Sequence, residues 1–430
     1  MPILGTLASS VPANSEKYWI AVLGDSSTEF SYNSALDADE NAYIFGRSNV
    51  SGGHRQTIAK YNKNGIIQWQ KQLSNNTHGG YYECWGTIDP SGNLIAYNST
   101  ASGDGGGVVV TKLTSNGAIT WQKALGVGSD AFTDSVITDS SENVYGTGPM
   151  NTGSGYKMVL FKYNSSGVYQ WQVQTNGEGH GVAVDSSGNI YNGGFAGGQY
   201  GLQLNKYNSA GSLLHQTRTR GQYGYDTYGG KVACDSAGNS YSAGIFRQSS
   251  GNGYEFGLIK RNSSGTIQWQ RVITNSSSNY GMVVTNLAVD LSNNIYGTAY
   301  TDASGTNAVI AKWNSSGTLQ WQRKLTVSGG CGFYDVKIDS TGTKMIIGGF
   351  TSASGNSDYM LLKLPTDGSL TGTYIVGSYS YTYEASTFTE AAYSGTNVSA
   401  DLDVSNAGLS QSTPTNTITN TTFTNTVKTL

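Results

Sequence analysis

The chain has 430 residues, a net charge of -3 and 12% charged residues, about half the usual share. With no basic stripe to neutralise phosphates, a nucleic-acid binder is excluded. No apolar run approaches the roughly 18 residues of a membrane-spanning helix, so no membrane span is expected. Gly (58) and Tyr (29) are heavily used and Pro is scarce (6), a balance that suits short strands joined by tight turns.

Residues 1–16 form an N-terminal extension, MPILGTLASS at its start, with no Lys or Arg ahead of its short apolar stretch. No secretory signal is expected from that pattern. Next comes Tyr18–Leu23 (YWIAVL), an apolar strand carrying Trp19.

From there one block of about fifty residues recurs seven times, with three anchors. A D-x-x-x-N turn stands at Asp37, Asp89, Asp139, Asp185, Asp235 and Asp290, with Asp339 heading a variant that ends in Thr343. A Lys closes an apolar strand at Lys60, Lys112, Lys162, Lys206, Lys260, Lys312 and Lys363, at spacings of 44 to 54. A W-Q pair follows at Trp69, Trp121, Trp171, Trp269 and Trp321, while His215 and Gly372 occupy the departing slots. In the unit after Trp269, strand D is IQWQRVI, strand A ends in LAVD, strand B is NIYGTAY and strand C is AVIAKWN. The Asp/Asn/Ser/Gly clusters between these runs are hairpin chemistry. Four antiparallel strands per unit cannot bury both faces alone, and stacking them around a ring does. The expected fold is therefore all-β, a seven-bladed β-propeller over residues 17–377, with Trp19, Trp69, Trp121, Trp171, Trp269 and Trp321 as structural repeat residues. Two segments compete to close the ring: Tyr18–Leu23, which matches strand D and is favoured, and Gly372–Gly377.

The recurring LIKRNSSGTIQWQRVI and AVDSSGNIYNGG resemble the bacterial seven-bladed β-propeller repeat family, over roughly residues 17–376. That resemblance implies the fold and leaves activity open, since the family is spread over surface and secreted proteins of many roles.

Residues 378–430 change to Thr, Ser, Asn and Tyr with almost no charge. Tyr379, Tyr381 and Tyr383 alternate, as does TNTITNTTFTNTVKTL, and period two favours extended strands. This tail is expected to be an assembly arm that pairs with partners by strand addition. Through YTYEASTFTEAA (Tyr381–Ala392), and through the start MPILGT, the chain is similar to virion proteins of tailed phages of marine bacteria. The similarity implies a virion structural protein, a tail-associated fibre or spike component, assembled in the host cytoplasm within a homo-oligomer or larger assembly. Capsid decoration protein, bacterial surface adhesion or surface-layer propeller, and glycan-cleaving propeller enzyme stay open as alternatives.

No familiar catalytic motif is present, and His54, His78, His180 and His215 fall in separate repeats. Catalytic residues, metal ligands and cofactors are expected to be none, and the chain to be no enzyme. The close acidic neighbours Asp25 and Glu29, and Asp130 and Asp134, read as solvated surface; the loop acids to test for sugar cleavage are Glu83, Asp226, Glu255 and Asp335. The repeated Asp reads as a turn cap and not a calcium loop, whose further ligands are missing. Asn164, Asn262 and Asn314 likewise read as turn residues. Cys84, Cys234 and Cys331 occupy non-equivalent positions, which argues against a disulfide framework; Cys234 replaces the Val or Ile before the repeat Asp and reads as a core residue. Specificity is expected in the connections that do not repeat: D–A segments 74–86, 217–231, 274–286 and 326–335, and B–C segment 247–256. Their Tyr, Gly, Ser and Asn content is that of adaptable recognition loops. The candidate binding residues, for a cell-surface glycan or protein, are Tyr81, Tyr82, Trp85, Tyr223, Tyr225, Tyr228, Tyr280, Phe333 and Tyr334, with a plug of the central channel as the competing role.

Overall fold

The computed structural model describes residues 18–25, 27–50, 53–74, 81–100, 107–126, 131–151, 155–196, 201–220, 228–246, 254–274, 281–301, 306–394, 396–398, 410–412, 417–420 and 424–429. Every regular element among them is a strand, and the strands build seven antiparallel blades around a channel. Strand A of each blade lies innermost, as at Glu29–Leu36 in blade 1, Tyr81–Ile88 in blade 2, Ser135–Thr138 in blade 3 and Glu178–Val184 in blade 4. Blades 5, 6 and 7 place Tyr228–Cys234, Met282–Val289 and Cys331–Ile338 there. Each A strand touches the next, and that of blade 7 touches that of blade 1, so the ring is closed.

The closing strand is the N-terminal one. Trp19–Gly24 is the D strand of blade 7, antiparallel to strand C at Asp358–Pro365, with Trp19 opposite Lys363. Gly372–Val376, the rival closer, instead lies outside blade 6, paired to Tyr379–Ala385. The departing seventh Trp slot is thereby explained: Trp19 fills it from the other end of the chain.

The anchors hold neighbouring blades together. In blade 5 the Lys260 ammonium (2.9 Å) and the Trp269 indole N–H (3.2 Å) both donate to the Ser315 carbonyl, in the C–D turn of blade 6. That turn's Gly317 lies flat on the Trp269 ring, with φ of 76° and room for no Cβ, which would fall 2.7 Å from the indole. The same clasp joins Lys162 and Trp171 to Ser209, Lys312 and Trp321 to Thr366, and, across the closing seam, Lys363 and Trp19 to Lys63. At the His215 slot the turn glycine, Gly265, sits over the imidazole instead. Blade 1 departs: the Trp69 indole N–H has no acceptor, and Lys71 reaches the Asn116 carbonyl at 2.6 Å.

All seven repeat Asp residues cap their own A–B turn. Asp185, for example, accepts from the Asn189 N–H (2.9 Å), the Asn189 side-chain amide (2.9 Å) and the Tyr191 hydroxyl (3.1 Å). Asn164, Asn262 and Asn314 cap the C–D turns in the same way.

Within residues 378–430, the expected assembly arm, the described strands pair with the chain's own blades. Tyr379–Ala385 pairs with the D strand of blade 6 (Leu319–Thr326), Thr389–Ala392 with that of blade 5 (Ile267–Thr274) and Thr396–Val398 with that of blade 4 (Leu213–Arg220). Ser410–Ser412 then joins blade 2, Thr417–Asn420 blade 1, and Thr424–Thr429 covers the closing strand of blade 7. The described strands of the tail thus form a belt along six of the seven blades, taken in reverse order around the ring. A D strand is an open edge whose unpaired backbone groups accept any extended neighbour, and the nearest polar, period-two segment satisfies them. Its firmest part is also apolar, since Tyr381 and Tyr383 are buried against blades 6 and 7 and the Tyr393 ring stacks on Phe246 at 4.8 Å.

Candidate functional site

The channel is where side chains from different blades converge. In six blades a β-bulge interrupts the A–B pairing near the outer end of strand A, as between Gly179 and Gly181 or between Phe333 and Asp335. Bulges re-aim side chains and recur near functional sites. The position four residues before the repeat Asp holds Asn33, Trp85, Ser135, Gly181, Lys231, Asn286 and Asp335 in blades 1 to 7. All but Asp335 line a cavity of about 280 Å³ inside the channel, with Thr87, Asp134, Ala183, Ala233, Cys234 and Lys337 among its other walls.

Two polar groups frame this cavity. In the first, Lys231 reaches across from blade 5, its ammonium 4.5 Å from the centre of the Trp85 ring and 3.8 Å from the Asp134 carboxylate. His180 Nδ1 donates to Asp134 at 3.2 Å, and its Nε2 faces Glu178 at 3.7 Å. Glu83 accepts from the Thr133 N–H at 2.7 Å. Burial, reinforced by the Asp134 charge, pushes the Glu83 carboxyl up to about 8. Burial would raise Asp134 too, but His180 and Lys231 hold it below the usual carboxylate range. Burial pulls on the His180 imidazole in the opposite sense, and the Asp134 and Glu178 carboxylates override it and hold the ring up at about 9. Lys231 is lowered by burial despite its acidic neighbours. The group therefore sets the Asp134 carboxylate between His180 and Lys231, with the Glu83 carboxyl shifted toward its protonated form alongside.

The second group centres on Asp335, which is fully buried. It accepts from the Ser34 N–H and hydroxyl, both at 2.8 Å, from Lys337 at 2.9 Å and from the Asn286 side-chain amide. Together the two groups draw on all seven blades around the channel, the first on blades 2 to 5 and the second on blades 1, 6 and 7. Chemically they offer hydrogen-bonding groups of both signs and, in Glu83 and Asp134, two carboxyls whose proton affinities are pushed apart.

The sequence candidates divide. Tyr223, Tyr225 and Tyr280 lie outside the described residues, as do Asp130 and Asp226. Tyr81, Tyr82 and Tyr228 stand in A strands of blades 2 and 5, with only their backbone described. Trp85, 8% exposed, and Phe333, fully buried, belong to the channel wall and core and not to an exposed loop. Tyr334 is half-buried against Tyr300 and Phe350, at 5.8 and 5.5 Å. Of the four loop acids, Glu255 is buried at the start of a C strand, while Glu83 and Asp335 stand on A strands. The expectation that Glu29 and Asp134 are solvated surface is overturned: Glu29 is fully buried, and the Asp134 side chain is only 17% exposed. Cys234 is half-buried and lines the cavity. Lys231, His180, Asn33 and Asn286 were missed, because a column that changes in every blade has no repeated identity; aligning the units on their Asp and reading four places back picks out three of these four.

No family model matches the chain, and no curated protein matches it. Solved structures similar to it include β-propeller domains. The β-propeller domain of the Trilobed protease from Pyrococcus furiosus aligns with a TM-score of 0.46 and 10% identity over 79% of this chain and 95% of that one. The Vanderwaltozyma polyspora Nup133 β-propeller domain gives 0.40 and 9%, over 82% and 100%. Acylaminoacyl peptidase from Pyrococcus horikoshii gives 0.45 and 9%, over 79% of this chain and 52% of its own. The expectation that the chain is no enzyme is corrected on this last finding, because similar folds include a peptidase and the lack of a familiar motif excludes nothing. At these identities the likeness extends to the fold and stops there.

Proposed function

We propose that the chain is a recognition propeller, which turns its D–A and B–C loops toward a cell-surface glycan or protein and is held from the opposite face. One observation carries this reading. Trp19 and Thr429 pair side by side, next to Lys363 at the C–D turn of blade 7, so the closing strand and its cover both meet the face of short, repeated turns there. The non-repeating connections open on the other face, away from any attachment made beside this seam. Loops on a rigid scaffold are suited to recognition. The finer reading is a virion component, a tail-associated fibre or spike. Its support is the similarity carried by Tyr381–Ala392 and by MPILGT, and contacts with other virion proteins through residues 378–430 would engage the outer face of the belt. Copy number in purified particles separates a tail position from a capsid coat. The test of recognition is adsorption to cells by the full chain carrying Tyr81→Ala, Tyr82→Ala, Tyr223→Ala and Tyr225→Ala together. Loss of adsorption with an unchanged circular dichroism spectrum is expected, and unchanged adsorption overturns the reading.

A further inference from the structure

The belt strands keep one register from blade to blade. Five places after the Trp slot of the D strand stand Thr326, Thr274 and Arg220 in blades 6, 5 and 4, and Gly126, Ser74 and Gly24 in blades 2, 1 and 7. The belt residues opposite them are Thr382, Thr389 and Thr396, then Ser410, Thr417 and Thr424. Within each trio the spacing is seven residues, and from Thr396 to Ser410 it is 14. The belt is therefore a repeat of seven, led by Thr or Ser, one unit to a blade. Its seventh place is apolar at Phe388, Leu402, Leu409, Phe423 and Leu430. Phe388 shows the use of that place: it packs on the core between blades 5 and 6, and its carbonyl accepts from the Gln322 side-chain amide at 2.5 Å.

Blade 3 alone has no belt strand among the described residues, so the outer edge of its D strand, Tyr169–Asn176, is left over. The interval of 14 holds one unit more than blades 4 and 2 use, residues 403–409, which lie outside the described residues. We infer that this edge of blade 3 is a docking edge for residues 403–406 of the same chain, with Asp403 opposite Asn176 and Asn406 opposite Val173. Charge supports the assignment. Lys157, beside Asn176 on strand C, donates its ammonium to the Asn176 side chain at 2.5 Å. Directly opposed residues share a face, so the one unit led by Asp sets its carboxylate toward that cation. Docking also satisfies the backbone groups of an edge that would otherwise accept a strand from another molecule.

Paired cysteines in the full chain, oxidised and mapped by peptide mass, test the register. Thr274→Cys with Thr389→Cys, in blade 5, sets the yield of a directly opposed pair at the same place in the repeat. Asn176→Cys with Asp403→Cys should cross-link within one chain to a similar yield, and Asn176→Cys with Asn406→Cys about tenfold less. A disulfide between two chains puts a second copy on the edge and overturns the proposal, as does a yield no higher than that of the out-of-register pair. Hydrogen exchange gives a second measurement that needs no cysteine. Val404→Pro together with Ser405→Pro removes two N–H donors, and should speed exchange across Val173–Asn176 about tenfold while leaving Val272–Thr274 of blade 5 unchanged. Exchange in blade 3 that does not respond overturns the proposal as well.

Discussion

At the scale of single residues, Trp269 shows what the recurrent tryptophan does. Its ring supports a turn of the next blade and its N–H meets the same carbonyl as Lys260, so one side chain links two sheets. Trp269→Ala is expected to lower stability by about 3 kcal/mol, and Gly317→Ala by about 1–3 kcal/mol through its positive φ and the indole beneath it. Urea denaturation of the two variants and of the double variant checks this, and the double variant should fall short of the sum because both changes break one contact. A pH dependence belongs at this scale as well. Burial, with Asp25 and Asp358 nearby and only the Ser27 hydroxyl opposing, raises the Glu29 carboxyl from 4.5 to about 8. The folded chain then holds a proton that the unfolded chain releases, so this stabilisation is complete below about pH 4.5 and is lost as pH rises toward 8. His180, raised from 6.5 to about 9, acts in the same direction over a higher window. The melting temperature should fall from pH 5 to pH 9, and Glu29→Gln should flatten the lower part of that decline.

At the scale of elements, the closing strand and the belt differ in kind. Trp19–Gly24 is flanked on both sides, by Asp358–Pro365 and by Thr424–Thr429, and its side chains are almost entirely buried. Belt strands such as Ser410–Ser412 and Thr417–Asn420 are short and lie at an outer edge. Deleting residues 395–430 is therefore expected to leave a folded ring with a lower melting temperature and a tendency to self-associate through bared D strands. Deleting residues 18–24 should abolish cooperative unfolding. Light scattering and calorimetry on the two truncations distinguish these outcomes. The contrast also marks what could be read in the sequence. Asp, Lys, Trp and the turn glycines recur because each acts within its own unit or on the next, so their spacing exposed the blades. The tail's period of two disclosed strands but not their partner, since edge pairing runs through backbone groups common to all residues. The channel site was equally hidden: Glu83, Asp134, His180 and Lys231 come from four blades and meet only when the ring closes.

At the scale of the whole molecule, the ring is a graded object. Its inner strands pack between neighbours, while belt strands such as Ser410–Ser412 and Thr417–Asn420 pair along one edge only. Hydrogen exchange should follow that order, with the amides of the outer belt strands exchanging first and those of Ile44, Tyr97, Tyr145 and Tyr296, all buried residues of B strands, last. Protection that is uniform from centre to rim would contradict this layering.

The seam in blade 7 also sets an order of events during synthesis. The strand WIAVLG is made well before its partner, which ends at Pro365, so it waits for roughly 340 residues. At about 5–20 residues per second that is on the order of 17–70 seconds, during which an apolar strand has no seat. Only then does it dock, and Thr424–Thr429, made later still, cover it from outside. Ribosome-bound chains that stop short of residue 358 should leave Trp19 open to protease, whereas chains that extend past 430 by a linker should protect it.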